Sequence, residues 1–537
     1  MKLLCPIILA FLIQLNALSQ DLVRGPYLQS LAPTSIKVIW RTSEPAISNI
    51  QISASVGGPI LQTVLGDAEE VDHIALIEGL TPGNTYYYRI GADDEFLTEW
   101  NEQYRFKTIP TNTNSTSFWA TGDFGAGNQR QIDVKNAFKS HVDGNYPDLW
   151  LWLGDNAYDD GTDAEFQEKV FEPPYGYDDL MPFLPFFPVP GNHDYNSVNL
   201  LSPPPQHRGP YFNIVEVPTQ GESGGVPSGT ELYYSFDYGD VHFVAINSEA
   251  FAYTFFANSV MSDWLKADLA ASDKLWKVAF WHQPPYSKGS HDSDDFYEVF
   301  MKAMRKNYNP IIEDFGVDLV LCGHSHVYER TALIKGHFGG SASFNDDMVI
   351  DGELPYMKYL DGDQPNFGTV YAVVGNSGKS EDEPEGIHPA FVTYDYGAEA
   401  VGSLLVNVEG NTLNGKYIRG DGSVYDEFTI IKGLQDSSVI TGLTNAYLDG
   451  FNVFPNPAKN LLNLQFTLKK PASVDFVILD EAGKTYYKDM AVRYASGSQT
   501  KQIALNDLKL PSGNYIIKMG IAEGNSTWIS KKFVKVE

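Results

Sequence analysis

The stretch DLVLCGHSHVYER, Asp318 to Arg330, runs an apolar segment into Gly323 and then into two histidines, His324 and His326. A short apolar run closed by glycine reads as a strand buried on both faces that ends in a loop. The same grammar recurs in SFWATGDFG from Ser117, DLWLWLGDNAY from Asp148, FFPVPGNHD from Phe186, VHFVAINS from Val241, KVAFWHQPP from Lys277 and VYAVVGNSG from Val370. Helical patterns lie between several of them, over Gln131–Ser140 and Phe296–Phe315. Buried strands alternating with helices predict an α/β sheet, which binds ligands beyond the carboxyl ends of its strands. In this chain those ends carry the titratable residues.

Outward from this region the text is all-β. Between Asp21 and Pro110, SIKVIWRT (Ser35–Thr42) alternates and NTYYYRIGA (Asn84–Ala92) is aromatic and β-branched, with turn signals at Gly57-Gly58-Pro59 and Pro82-Gly83-Asn84. Short strands at this spacing predict a β-sandwich over 20–110, followed by a polar linker over 111–117. The hairpins from Gly402 to Lys432, with a turn at Gly420-Asp421-Gly422, belong with the region 118–432. A small-residue connector over 433–446 leads to a last β-rich segment, 447–537. Its charge reverses: Phe451 to Glu537 holds twelve Lys/Arg against seven Asp/Glu, in a chain of 38 Lys+Arg and 68 Asp+Glu with net charge -30. A sign change of that size predicts a separate module.

Overall acidity weighs against nucleic acid or an anionic membrane as partner, since both select basic surfaces. The cysteines are Cys5 and Cys322, which excludes a disulfide scaffold and a thiolate zinc site. Residues 1–19 read as a secretory signal peptide: Lys2, an apolar run from Leu3, and Ala17-Leu18-Ser19 as cleavage site. No later segment has about twenty uninterrupted apolar residues. The mature chain is expected to be soluble, exported, and without an integral membrane segment.

The strand ends share one chemistry. They supply Asp123, then Asp155 and Tyr158, then Asn192, His193 and Asp194, then His282, then His324 and His326. A Gly-Asp pair after a strand is by itself a turn signature, and a lone histidine there is most often a hydrogen-bonded core residue. Five such motifs in series are not explained that way. Oxygen and imidazole donors without thiolate suit iron, manganese or zinc. Two histidines two apart in a loop can serve adjacent ions, and a carboxylate such as Asp155 can bridge them.

In this order the motifs resemble those of the calcineurin-like metallophosphoesterases and, within them, the purple acid phosphatases. Tyr158, three residues after Asp155, is the mark of that subgroup. The segment LTPGNTYYYRI with Trp40 upstream is similar to a fibronectin type III-like domain, which the family commonly carries in front. The tail motifs FNVFPNPAKNLLNLQF (Phe451–Phe466), LPSGNYIIKM (Leu510–Met519) and KKFVKV (Lys531–Val536) look like the C-terminal sorting domain of type IX secretion cargo. The resemblance implies a β-sandwich core flanked by helices, with all-β sandwiches at both termini.

For the site, it implies that Asp123, Tyr158 and His326 bind Fe(III). Asn192, His282 and His324 would bind a divalent iron, zinc or manganese ion, with Asp155 between the two. His193 would lie beside the substrate phosphate, oriented by Asp194. His291, in KGSHDSDD, is the candidate for a second catalytic histidine; His207 and His337 are taken as structural or surface. The implied activity is that of a secreted or cell-surface acid phosphatase hydrolysing phosphomonoesters by attack of metal-bound hydroxide, with the type IX machinery as partner. Two other functions fit the same sequence: a phosphodiesterase or nucleotide hydrolase, and a surface binding protein with an inactive metal domain.

Overall fold

A computed structural model describes residues 20–195, 208–360, 365–381, 386–433, 448–480, 484–521 and 527–536. The predicted leader, His207 and most of the predicted connector over 433–446 lie outside these residues. Residues 1–433 form one compact unit and residues 434–537 another.

The larger unit is built on two mixed sheets of seven strands each. In the first, Ser115–Thr121, Leu149–Leu153 and Phe186–Val189 run parallel, and Ser115–Thr121 pairs antiparallel with Gly402–Glu409 on its other side. The hairpins to Val424–Gly433 extend that sheet, so this late segment completes the same layer as the first strand. In the second, Val241–Ala245, Trp276–Phe280, Leu319–Cys322 and Val370–Val374 run parallel. Tyr328–Thr331 closes back antiparallel onto Val370–Val374. These parallel strands are buried at nearly every position, which is why they read as continuous apolar runs.

Between the sheets lie Phe118, Leu151, Phe236, Phe243, Phe280 and Leu321. Helix Gln129–Val142 covers the outer face of the first sheet, starting at an Asn128 cap whose side chain accepts the Gln131 N–H. It seats Phe138 on Trp119 with ring centroids 3.9 Å apart and planes at 7°. Each such large buried side chain contributes roughly 2–3 kcal/mol. The helical pattern over Phe296–Phe315 is two helices, Val299–Asn307 and Asn309–Asp314. Pro310 has no N–H for the i−4 carbonyl, so the second helix restarts with proline in its first turn. The first strand begins at Ser115, inside the stretch read as linker.

Ahead of these sheets, residues 22–107 form the N-terminal sandwich. Ile36–Ser53 pairs with Leu22–Gln29 through its first half and with Thr85–Ala92 through its second, and Ile60–Ile77 lies along both. A register shift between Arg41 and Ala46 bends the long strand. Trp40, Ile50, Ile52, Tyr88 and Phe106 fill its core.

The smaller unit has a three-stranded and a four-stranded antiparallel sheet, with Phe466, Val474, Phe476, Ile517 and Phe533 buried among them. Among the described residues of the whole chain, no helix is long and apolar enough to cross a membrane.

One buried cation ties stability to pH. His242 Nδ1 lies 2.7 Å from Asp237 Oδ1 and Nε2 lies 2.8 Å from Asp268 Oδ2, with the imidazole and Asp268 both out of solvent. Burial opposes its charge, but the hydrogen bonds to Asp237 and Asp268 outweigh burial and push the imidazole up to about 9. A folded-state value above the ordinary 6.5 stabilises the fold fully below about pH 6.5, and that contribution is lost as pH rises through about 9. The shift corresponds to about 3 kcal/mol. Denaturant midpoints are therefore expected to fall between pH 6 and pH 9.5, and His242→Gln is expected to flatten that fall. Parallel pH dependences in the two proteins would contradict the assignment.

Candidate metal centre

Apart from His291, which lies eleven residues beyond Phe280, each sequence-predicted site residue follows a parallel strand at its carboxyl end. Asp123 follows Ser115–Thr121; Asp155 and Tyr158 follow Leu149–Leu153; Asn192 and His193 follow Phe186–Val189. His282 follows Trp276–Phe280, and His324 and His326 follow Leu319–Cys322. The chain turns sharply at these points. Asp123, Asp155 and His324 have φ of 57°, 50° and 69°, in the left-handed region. That conformation costs an L-residue roughly 1–2 kcal/mol, and here three of the proposed functional positions carry it. The motif glycines are required by close approach. A Cβ on Gly154 (φ 90°) would lie 2.4 Å from His282 Nδ1, and one on Gly191 would lie 2.2 Å from Asp155 Oδ1.

These turns bring the donors together. Tyr158 Oη lies 2.7 Å from Asp123 Oδ1, 3.0 Å from Asp155 Oδ2 and 3.2 Å from His326 Nε2. A phenol has one hydrogen and can donate to only one of the three. His282 Nδ1 donates to the Leu153 carbonyl at 2.9 Å, and Nε2 then faces Asn192 Oδ1 at 3.2 Å and Asp155 Oδ1 at 3.3 Å. Asp155 Oδ1 also accepts the His193 backbone N–H, and Asp123 Oδ2 accepts that of His324, each at 2.8 Å.

This is an assembly of acceptors in need of positive charge. Asp123 and Asp155 are buried, and among the described residues neither has a lysine or arginine ion pair. Burial opposes charge on His282, yet Asp155, Asp123 and Glu249 raise it to about 10, so a proton would settle there if nothing else did. His324 behaves in the opposite way. Burial first, then His291 and His282, hold it down at about 4, as a neutral imidazole. Its Nε2 is buried without a hydrogen-bond partner. Surplus acceptors beside a buried imidazole nitrogen without a hydrogen bond fit cations with oxygen and nitrogen ligands. Donor atoms of Asp123, Asp155 and His282 lie within 4.8 Å of one another, and so do those of His291, Glu298 and His324.

Histidines at the rim are tethered from outside. His193, with its side chain 33% exposed, lays its ring 4.5 Å from that of Tyr158, and its Nδ1 donates to the Asp159 carbonyl. The sequence reading had Asp194 orient it. Instead, Asp194 is buried and turned inward, accepting the N–H of Gly191 and the side-chain amide of Asn156, each at 2.8 Å. The 3-10 turn His193–Tyr195 points the consecutive side chains apart. His291 does enter the cluster, its ring 3.9 Å from that of His324 and its Nδ1 2.7 Å from Glu298 Oε1. His337 is fully buried, 5.2 Å from the Tyr286 ring, and stands apart from the donors described above.

Sequence reading missed four supports. Glu298 links His291 to His324, whose Nε2 is 3.6 Å from Oε2. Glu381 accepts from His326 Nδ1 at 2.9 Å, the carboxylate–imidazole pairing that fixes a ligand's tautomer. Lys379 stands over the Tyr158 ring. The fourth is Asp163, just past Tyr158, which is held by Arg24 at 3.0 Å and Arg41 at 2.6 Å from the N-terminal sandwich. Glu165 caps the same turn, accepting the N–H groups of Asp159, Asp160 and Thr162. Lys379, Glu381 and Asp163 lie close in sequence to strand-end motifs, but that nearness does not single them out, and no local signal marks Glu298.

Three family models match the chain. Residues 116–328 match the calcineurin-like phosphoesterase, residues 24–108 the purple acid phosphatase N-terminal domain, and residues 452–536 the secretion system C-terminal sorting domain. Purple acid phosphatase 15 of Arabidopsis thaliana is 29% identical over 291 residues, covering 49% of this chain and 50% of that protein. The chain thus spans about half the length of that relative. Acid phosphatase type 7 of Homo sapiens is 26% identical over 383 residues, covering 65% of this chain and 76% of the human protein. Among solved structures, a purple acid phosphatase from yellow lupin (Lupinus luteus) seeds superimposes with a TM-score of 0.56 at 19% identity, over 76% of this chain and 74% of that one. With its strand-end donors, its leading sandwich and its sorting tail, the chain carries a calcineurin-like phosphoesterase region over 116–328, in the domain arrangement of the purple acid phosphatases.

Proposed function

We propose that this chain is an exported, metal-dependent acid phosphatase acting on phosphomonoesters. The observation that carries the reading is the buried cluster of Asp123, Asp155, Tyr158 and His282, whose acceptors outnumber their hydrogens. Asp123, Tyr158 and His326 would hold a ferric ion, and Asn192, His282 and His324 a divalent iron, zinc or manganese ion, with Asp155 shared. Bound there, such a pair supplies Lewis acidity toward phosphoryl oxygens and lowers the pKa of water.

The chain's own part is positioning and proton transfer. His193 has its Nδ1–H committed to the Asp159 carbonyl, so it is as the imidazolium that its Nε2–H, 3.8 Å from Asp155 Oδ2, passes a proton to the departing alkoxide and returns to the neutral Nδ1–H form. His291, tethered by Glu298, is the second group in reach. With water as nucleophile no side chain needs to be acylated or phosphorylated. The net charge of -30 does not forbid an anionic substrate, since acids beyond a Debye length of about 8 Å are largely screened.

For the chain as a whole, the reading is a leader over 1–19, a sandwich over 20–110, the catalytic region 118–432 and a sorting domain over 447–537. The sorting-domain match supports export to the surface or medium. Assay of a nitrophenyl monoester against the bis-ester, after reconstitution with iron and zinc at pH 5, tests the activity. A monoester preference of at least tenfold is expected. The reverse preference would make the protein a diesterase. No turnover of either ester, with no metal bound, would make it a binding protein.

A further inference from the structure

The strand-end motif VYAVVGNSG, like VHFVAINS, contributes no donor to the cluster. Its strand, Val370–Val374, lies beside Leu319–Cys322, the strand that delivers His324 and His326. The following loop is fixed on the Asp123 turn. Ser377 N donates to the Gly122 carbonyl at 3.1 Å and Asn128 Nδ2 to the Gly378 carbonyl at 2.9 Å. A Cβ on Gly378 would lie 2.3 Å from the Phe124 carbonyl oxygen, so the two loops are in backbone contact.

From this anchored loop Lys379 extends over the site. Its Nζ lies 4.2 Å from the centroid of the Tyr158 ring and 3.7 Å from Asp159 Oδ1. The lysine side chain is 31% exposed and Asp159 is 80% exposed. The imidazole of His193 lies against the same Tyr158 ring. Lys379 and His193 therefore both touch the Tyr158 ring and Asp159, next to buried carboxylates that, among the described residues, have no lysine or arginine ion pair.

We propose that Lys379 is a substrate-positioning residue that binds the non-bridging oxygens of a phosphomonoester dianion, with Asp159 occupying the ammonium until substrate displaces it. This rests on the phosphatase reading above. A half-buried ammonium interacts more strongly with phosphate than a fully solvated one. Above the second phosphate pKa of about 6 a monoester offers it a dianion where a diester offers a single charge, so at pH 7.5, where the comparison is made, the lysine favours monoesters. Asp159, the more exposed partner of the pair, costs little to displace.

The test uses the metal-loaded full chain and inorganic phosphate as probe. Calorimetric phosphate binding and steady-state kinetics are compared for wild type, Lys379→Met, Lys379→Arg and Asp159→Asn, with metal content measured in each. In Lys379→Met, the phosphate Kd and the monoester KM are expected to rise about tenfold, with kcat falling less and bis-ester KM rising at least threefold less than monoester KM. Lys379→Arg is expected to restore most of the loss. Asp159→Asn is expected to tighten phosphate about two- to threefold by removing the competitor. A phosphate Kd within twofold of wild type in fully metallated Lys379→Met would overturn the proposal while leaving the phosphatase reading intact. Should Lys379→Met lose metal, Asp159→Asn decides alone: no tightening overturns it. If wild type hydrolyses neither ester, the phosphatase reading fails, and the phosphate titrations still judge Lys379.

Discussion

Asp155→Ala is expected to lower phosphomonoester turnover by about a thousandfold or more and to reduce bound metal. Its two oxygens reach in opposite directions: Oδ1 toward the His193 backbone N–H and His282 Nε2, Oδ2 toward Tyr158 Oη. Truncation leaves His282 Nε2 without the carboxylate that balances it. Asp155→Asn keeps the shape and halves the donor character, so it separates loss of charge from loss of fold. Metal content and kcat measured together check the prediction. Wild-type turnover in a metal-replete Asp155→Ala protein would refute the site.

His193→Ala is expected to reduce kcat by about 10²–10⁴-fold with metal content retained. The substitution removes the imidazole and spares the backbone, and it is the backbone N–H that donates to Asp155 Oδ1. The donor cluster therefore keeps its geometry. What goes is the group at the rim, beside the Tyr158 ring. Substrates with better leaving groups should suffer less, because they need less protonation as the bond breaks. A uniform loss across leaving groups, or loss of metal, would assign His193 to structure rather than to proton transfer.

Much of this was legible because buried parallel strands leave a strong trace. An apolar run cannot carry charge, so the first charged residue after it marks the strand end, and in an α/β sheet the ends share one rim. That logic found Asp123, Asp155, His282 and His324 from the residues alone. It failed one step further out. Glu298 and Glu381 sit among many acids in loops, and nothing in the sequence separates a carboxylate that meets a histidine from one that meets water. Asp194 was assigned to His193 because they are neighbours in sequence; a 3-10 turn sends them to different partners. The helical period over Phe296–Phe315 was real, but Pro310 divides it. The sandwich was visible in its alternation, whereas its grip on Asp163 through Arg24 and Arg41 depends on tertiary packing that no local pattern encodes.

The central claim is that Tyr158, Asp123 and His326 together hold a ferric ion, with a second ion beside it. The most direct measurement is the visible spectrum of purified, reconstituted protein together with its metal content, for wild type and for Tyr158→Phe. The expected result is two metal ions per chain, at least one of them iron, and a visible absorption band that bleaches in Tyr158→Phe. A colourless wild-type protein that takes up no metal from iron and zinc would contradict it.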